Sequence, residues 1–184
     1  MTATHTYTVD VTWTGAGPTG TTSYTAYSRN HEVAIGGRPV LLGSADPEFR
    51  GDPARYSPEQ LFVASLSQCH MLWFLHLAAR DGVVVTGYQD EAVGTMRVES
   101  AGAGQFINVV LRPHVTVRLP APAGSPARTP EGSPASSPAG APADAPVTDA
   151  RLAAVHELAH EHCFVSRSVN FPVLVEPTRI VVDP

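Results

Sequence analysis

Residues 57 to 82, SPEQLFVASLSQCHMLWFLHLAARDG, constrain this chain more than any other stretch. Ser57 is a good helix N-cap, Pro58 suits the first helical position, and Gln60 stands where a reciprocal capping box needs Glu or Gln. Asp81-Gly82 supplies the stop. Between these signals Leu61, Phe62, Val63, Leu66, Leu72, Trp73, Phe74 and Leu77 leave hardly any side of the helix polar, so nearly every side needs cover. A membrane span is the rival reading. Gln68, His70 and His76 interrupt the run and favour a central helix wrapped by sheet or by a partner subunit.

Strand patterns lie before, between and after the helices. Residues 5 to 14 alternate Tyr7, Val9, Val11 and Trp13 with polar residues, the period of a half-buried strand. TSYTAYSRNHEVAI reads as the strand or strands that follow, and residues 36 to 56 read as irregular loop. VVVTGYQDEAVGTMRVES and QFINVVLRPHVTVRL read as two further strands, and the chain ends with strand-like FPVLVEPTRIVV. A second helix is predicted from Thr148 or Asp149 to about His162. This order implies an α+β class with mostly antiparallel sheet. The 184 residues fit a single domain, 1–184. Within it residues 120–146 are set apart by a proline at every fourth position, from Pro122 to Pro146, among Ala, Gly and Ser, which reads as a disordered surface insert.

Composition excludes several kinds of chemistry. All twelve basic residues are Arg, so no lysine Schiff base, pyridoxal-phosphate lysine or P-loop lysine is available. A net charge of -5, with the arginines scattered, gives no electrostatic footprint for nucleic acid or anionic lipid. The N-terminus shows no secretory pattern, and a cytoplasmic location is expected. In that reducing compartment two cysteines are more readily reactive, metal-bound or plainly buried than a structural staple.

Cys69 lies far beyond the first helical turn, with Ser65, Leu66, Leu72 and Trp73 as its helical neighbours. Such a setting raises a thiol's pKa, so reactivity requires a cation from another element, and without Lys that means Arg or a charged His. The plain reading of Cys69, and of Cys163 at the end of the second helix, is a small hydrophobe in a core. The two could instead meet as an attacking and a resolving thiol.

SPEQLFVASLSQCHMLWFLHLA resembles the segment of the OsmC/Ohr family, the osmotically induced and organic-hydroperoxide-resistance proteins, that leads from a Pro-Glu start to the peroxidatic cysteine ten residues after the Glu. AHEHCFVSRSVN is similar to the segment around that family's second cysteine. The resemblance implies an OsmC-like fold, with antiparallel sheets around a long buried central helix in an intertwined homodimer. It also implies a thiol peroxidase without metal or organic cofactor. Cys69 would attack an organic hydroperoxide and become a sulfenic acid, and Cys163 would close a disulfide that a dithiol reductant, of the lipoyl type, opens again. By the same resemblance an early-strand arginine, Arg29, holds the thiolate and is oriented by Glu59. Ten helical residues separate Glu59 from Cys69 by about 15 Å, so Glu59 acts only through a chain folded over it. His70, Trp73 and Phe164 depart from the hydroperoxide-resistance branch.

Two rivals stand beside this reading. HELAH, residues 156 to 160, matches the pattern in which two histidines one turn apart, here His156 and His160, bind zinc while the Glu activates water. His162, Cys163 and Glu176 could add ligands. The other rival is a non-catalytic protein whose apolar helix lines a pocket for a hydrophobic ligand, with both thiols as bystanders.

Overall fold

The computed structural model describes residues 3–100, 102–118, 146–178 and 180–183. Most of the proline-rich stretch, 120–146, therefore lies outside the described residues. The chain divides into two compact units, Met1–Phe62 and Val63–Pro184.

The first unit holds β1 (Asp10–Trp13), β2 (His31–Ala34) and β3 (Leu41–Gly43) in one antiparallel sheet of order β1-β2-β3. The alternation over residues 5 to 14 predicts a half-buried strand, but every residue of β1 is exposed, with Val11 66% accessible. On its apolar face Trp13 packs edge-on against Tyr27 with centroids 5.7 Å apart, while Val11 stays open. TSYTAYSRNHEVAI forms a strand only from His31, because the preceding residues run as turns braced by Trp13, whose Nε1–H donates to the Ser28 carbonyl at 2.8 Å.

α1 (Pro58–Arg80) starts and stops where the sequence signals predict. The Ser57 N–H donates to Gln60 Oε1 at 3.0 Å and the Gln60 N–H donates to Ser57 Oγ at 3.2 Å, a complete capping box. Gly82 closes the other end at φ +72°, a conformation that disfavours side chains. The buried residues of α1 are Leu66, His70, Phe74, Leu77 and Ala78, a single stripe at helical spacing. All-round burial is thus not realised within one chain. Leu72, on another face, is 62% exposed.

In the second unit the long strand patterns each divide. VVVTGYQDEAVGTMRVES gives β4 (Val84–Asp90) and β5 (Val93–Val98), and QFINVVLRPHVTVRL gives β6 (Gly104–Leu111) and β7 (Pro113–Arg118). β4 pairs β7 and β5 pairs β6 antiparallel, with one register kept across the bend from Gly87 to Thr95 and shifts at Val85/Gly87 and Thr95/Met96, so the four strands are the two arms of one long hairpin that changes sheet at Glu91 and Arg112. Two features make the bend. Pro113 has no N–H for the ladder, and Asp90 accepts from the Arg112 N–H at 2.7 Å in place of a cross-strand carbonyl. The C-terminal segment bends alike, with β8 (Val173–Val175) parallel to β6 and β9 (Ile180–Asp183) parallel to β7. The class is α+β, with mainly antiparallel sheets and a long central helix.

α2 (Asp149–His162) is capped by Thr148, whose hydroxyl accepts from the Arg151 N–H. The core of this unit forms where Phe74, Leu77 and Ala78 of α1 meet Leu152, Val155 and Ala159 of α2 and Val115 and Val117 of β7. Packing of these two helices positions the two thiols.

Candidate active site

Three sets of contacts join α1 to α2 and its C-terminal end. At one end Arg151 Nε lies 2.6 Å from Asp81 Oδ2, and the same guanidinium donates to the Asp81 carbonyl. In the middle His70 Nε2 and His156 Nδ1 share a proton at 3.0 Å, while the His156 ring stacks on Phe74 with centroids 4.1 Å apart. At the far end Cys69 and Cys163, both free thiols, lie close enough to act on one another.

Burial pushes the Cys69 thiol above its ordinary pKa, and the hydrogen bond and charge of Cys163 push the same way. The backbone N–H groups of Val165 and Phe164 are directed at the sulfur and pull it back down. The next amide, of Ser166, donates to Cys163 Sγ at 3.4 Å. Three successive N–H groups after α2 thus face the two sulfurs, and such donors favour a negative sulfur over a neutral one. Among the described residues of the second unit the groups acting on the Cys69 thiol include no cation. The sequence gives no signal for these amides, because they depend on the turn that follows Cys163 and not on side-chain identity.

An aromatic wall stands beside the pair. Trp73, one turn beyond Cys69, contacts His76, His162 and Phe164, with centroids 5.8, 5.0 and 5.4 Å away. Phe164 follows Cys163 directly and is 68% exposed.

Arg29 and Glu59 belong to the first unit. Arg29 donates to the carbonyls of Tyr27 at 2.8 Å and Tyr24 at 2.9 Å, and its guanidinium lies over both tyrosine rings at 4.2 and 4.4 Å. Glu59 sits in the first turn of α1, where the helix dipole favours a carboxylate. Its Oε2 is buried without a hydrogen-bond partner. Among the described residues no ion pair joins Arg29 to Glu59.

The HELAH histidines are placed differently from a zinc pair. His156 is buried with Nδ1 engaged by His70, Glu157 is exposed, and His160 Nδ1 is buried without a partner. Among the described residues no group of three or more His, Cys, Asp or Glu is arranged to hold a metal ion. Burial lowers His70 to about 4, helped by the neighbouring His160 and opposed by Asp90. Burial and then the charge of His70 lower His156 to about 3. Asp90 is itself fixed by the Ser67 hydroxyl at 2.5 Å. A second feature, a cavity of about 400 Å³, lies beside His156 and is lined chiefly by Pro113, Val115, Leu152, Ala153 and Pro177.

The comparisons with known proteins agree with this architecture. Residues 51–130 match the family model described as OsmC-like protein. A solved OsmC-like protein of unknown function from Vibrio cholerae is 33% identical, covers 95% of this chain and 100% of its own, and superposes with a TM-score of 0.72. The chain belongs to the OsmC-like family. More distant OsmC relatives share the fold. An organic hydroperoxide resistance protein OsmC from Legionella pneumophila is 17% identical, with 98% and 100% of the two chains covered and a TM-score of 0.61. One from Elizabethkingia anophelis is 16% identical over the whole of both chains, with a TM-score of 0.60. No curated protein matches the chain.

Proposed function

We propose that this OsmC-like chain is a cysteine-based peroxidase for organic hydroperoxides, and the observation that carries the reading is the contact between the Cys69 and Cys163 thiols. In the first step the Cys69 thiolate attacks the outer oxygen of ROOH. The O–O bond breaks, Cys69 becomes a sulfenic acid, and the alkoxide leaves as ROH after taking a proton. The Cys163 thiol then attacks the sulfenic sulfur, forming the disulfide and releasing water. A dithiol reductant, of the lipoyl type, returns both thiols and leaves as its own disulfide.

The amides of Val165 and Phe164 stabilise charge on Cys69 in the first step, and the Trp73–Phe164 wall receives an alkyl or aryl tail. Arg29 and Glu59 complete the site in an intertwined homodimer. Two observations support that arrangement: the orphaned Glu59 oxygen, and the fact that only 28% of the apolar stretch of α1 is buried in one chain. A cytoplasmic setting, with the dithiol pool kept reduced, accords with two free thiols.

Steady-state consumption of cumene hydroperoxide in the presence of dihydrolipoamide tests the reading. The wild-type chain is expected to consume it faster than hydrogen peroxide, and Cys69→Ser is expected to lose at least about a thousandfold. Full activity in Cys69→Ser would sink the proposal and favour the cavity beside His156 as the functional site.

A further inference from the structure

His70 and His156 are the two largest polar side chains among the buried residues, at 0% and 4% exposure. Their imidazoles lie almost coplanar, 6° apart, with one nitrogen of each aimed at the other at 3.0 Å. The arrangement is expensive, because His70 Nδ1 is left buried without any partner. Two leucines would fill this place in a core without that penalty. Some gain must offset it, and the neighbours in sequence show what the pair controls. His70 immediately follows Cys69. His156 precedes Cys163 by seven residues, two turns on the same face and about 10 Å along the axis.

We propose that the His70–His156 hydrogen bond is a positioning device for the thiol pair, locking the register of α2 against α1 so that Cys163 stays within bonding reach of Cys69. The inference deepens the reading of these cysteines as a redox pair and rests on it. The geometry is demanding at both places. A slide of one residue along a helix is 1.5 Å, enough to break a 3.0 Å ring-to-ring bond. The same slide changes a Cβ–Cβ distance by up to about 1.5 Å, more than the width of the range, roughly 3.5–4.5 Å, that a disulfide accepts. Apolar contacts such as Phe74 against Val155 resist separation of the helices but tolerate sliding, since dispersion is weakly directional. The Arg151–Asp81 contact stands at the opposite end of the helix pair, three turns from the thiols. The histidine pair is the directional contact next to them.

The test equilibrates the full chain with reduced and oxidised glutathione and quantifies the Cys69–Cys163 disulfide by mass spectrometry. In this exchange the two protein thiols are oxidised while one glutathione disulfide is reduced to two glutathiones, so no hydroperoxide is needed. His156→Leu keeps the packing on Phe74 but removes the bond. Its disulfide equilibrium constant is expected to fall about tenfold or more, and its thermal midpoint to fall as well, because His70 Nε2 is left buried without a partner. The double variant His70→Leu/His156→Leu strands neither ring and is expected to show the same loss of the constant with a midpoint at or above that of the wild type. His70→Leu alone is expected to lower the constant likewise, which keeps the test open if one variant fails to fold. His156→Asn returns an amide near the Nδ1 position and is expected to recover the constant to within about threefold of wild type. A folded leucine variant whose constant stays within about twofold of wild type overturns the proposal, whatever its stability. A wild-type chain that forms the disulfide with glutathione yet reduces no hydroperoxide would refute the peroxidase and leave the positioning role standing.

Discussion

The residues that decide the proposed chemistry are two sulfurs and the groups that face them. Cys69 gains its charge stabilisation from backbone amides at Phe164 and Val165, so its attack is expected to survive changes of those side chains better than changes of chain path. Val165→Pro removes one of the donors. It is expected to slow sulfenic acid formation about tenfold, measured by stopped flow with one equivalent of hydroperoxide, whereas Val165→Ala stays within about threefold. The two histidines make a separate prediction about acid. Their folded pKa values, about 4 and about 3, lie below the unfolded value near 6.5. The unfolded chain therefore takes up protons first as pH falls. Stability is therefore independent of their titration above about pH 6.5 and falls progressively as pH drops to about 3. Urea unfolding at pH 7.5 and 4.5 is expected to show a fall of a few kcal/mol, and His156→Leu is expected to show a shallower fall. Equal slopes in the two proteins would contradict the assignment, since Asp90 and His160, the other ionisable groups acting on His70, remain in both. At this scale the sequence was legible in part. The cysteines stand out by position, whereas HELAH offers His156 only as a rival metal ligand, because a five-residue pattern carries no information about which helix packs against it.

At the scale of elements, punctuation was easier to read than pairing. Ser57, Gln60 and Gly82 bound α1, and Thr148 starts α2, because caps are local chemistry. Ser57→Ala is expected to cost about 1 kcal/mol in urea unfolding. The bend of the long hairpin was not legible, since the Asp90–Arg112 contact that marks it joins residues 22 apart in sequence. Nor did the apolar circumference of α1 reveal which stripe one chain would bury. Phe74, fully enclosed against Tyr88 and His156, is expected to cost about 3–5 kcal/mol as Ala, because its removal leaves a cavity in the shared core of α1 and α2.

For the whole molecule, the fold class follows from the order of strands and helices, while the extent of the assembly does not. Val11 in the first unit and Leu72 in the second are each exposed in the single chain. We propose that a second copy covers them. Sedimentation equilibrium is expected to give twice the chain mass of 19.4 kDa, and Leu72→Glu is expected to shift the protein towards monomer with a loss of peroxidase activity. A monomeric wild type with full activity would remove the partner from the account and leave Arg29 without its proposed role. The central claim is narrower than the assembly and can be measured directly. The reduced protein is treated with one equivalent of cumene hydroperoxide, digested without reductant and mapped by mass spectrometry. The account predicts a peptide pair joined through Cys69 and Cys163, replaced in Cys163→Ser by a Cys69 sulfenic acid that a trapping reagent captures. Recovery of both cysteines as free thiols, with the hydroperoxide unconsumed, would contradict it.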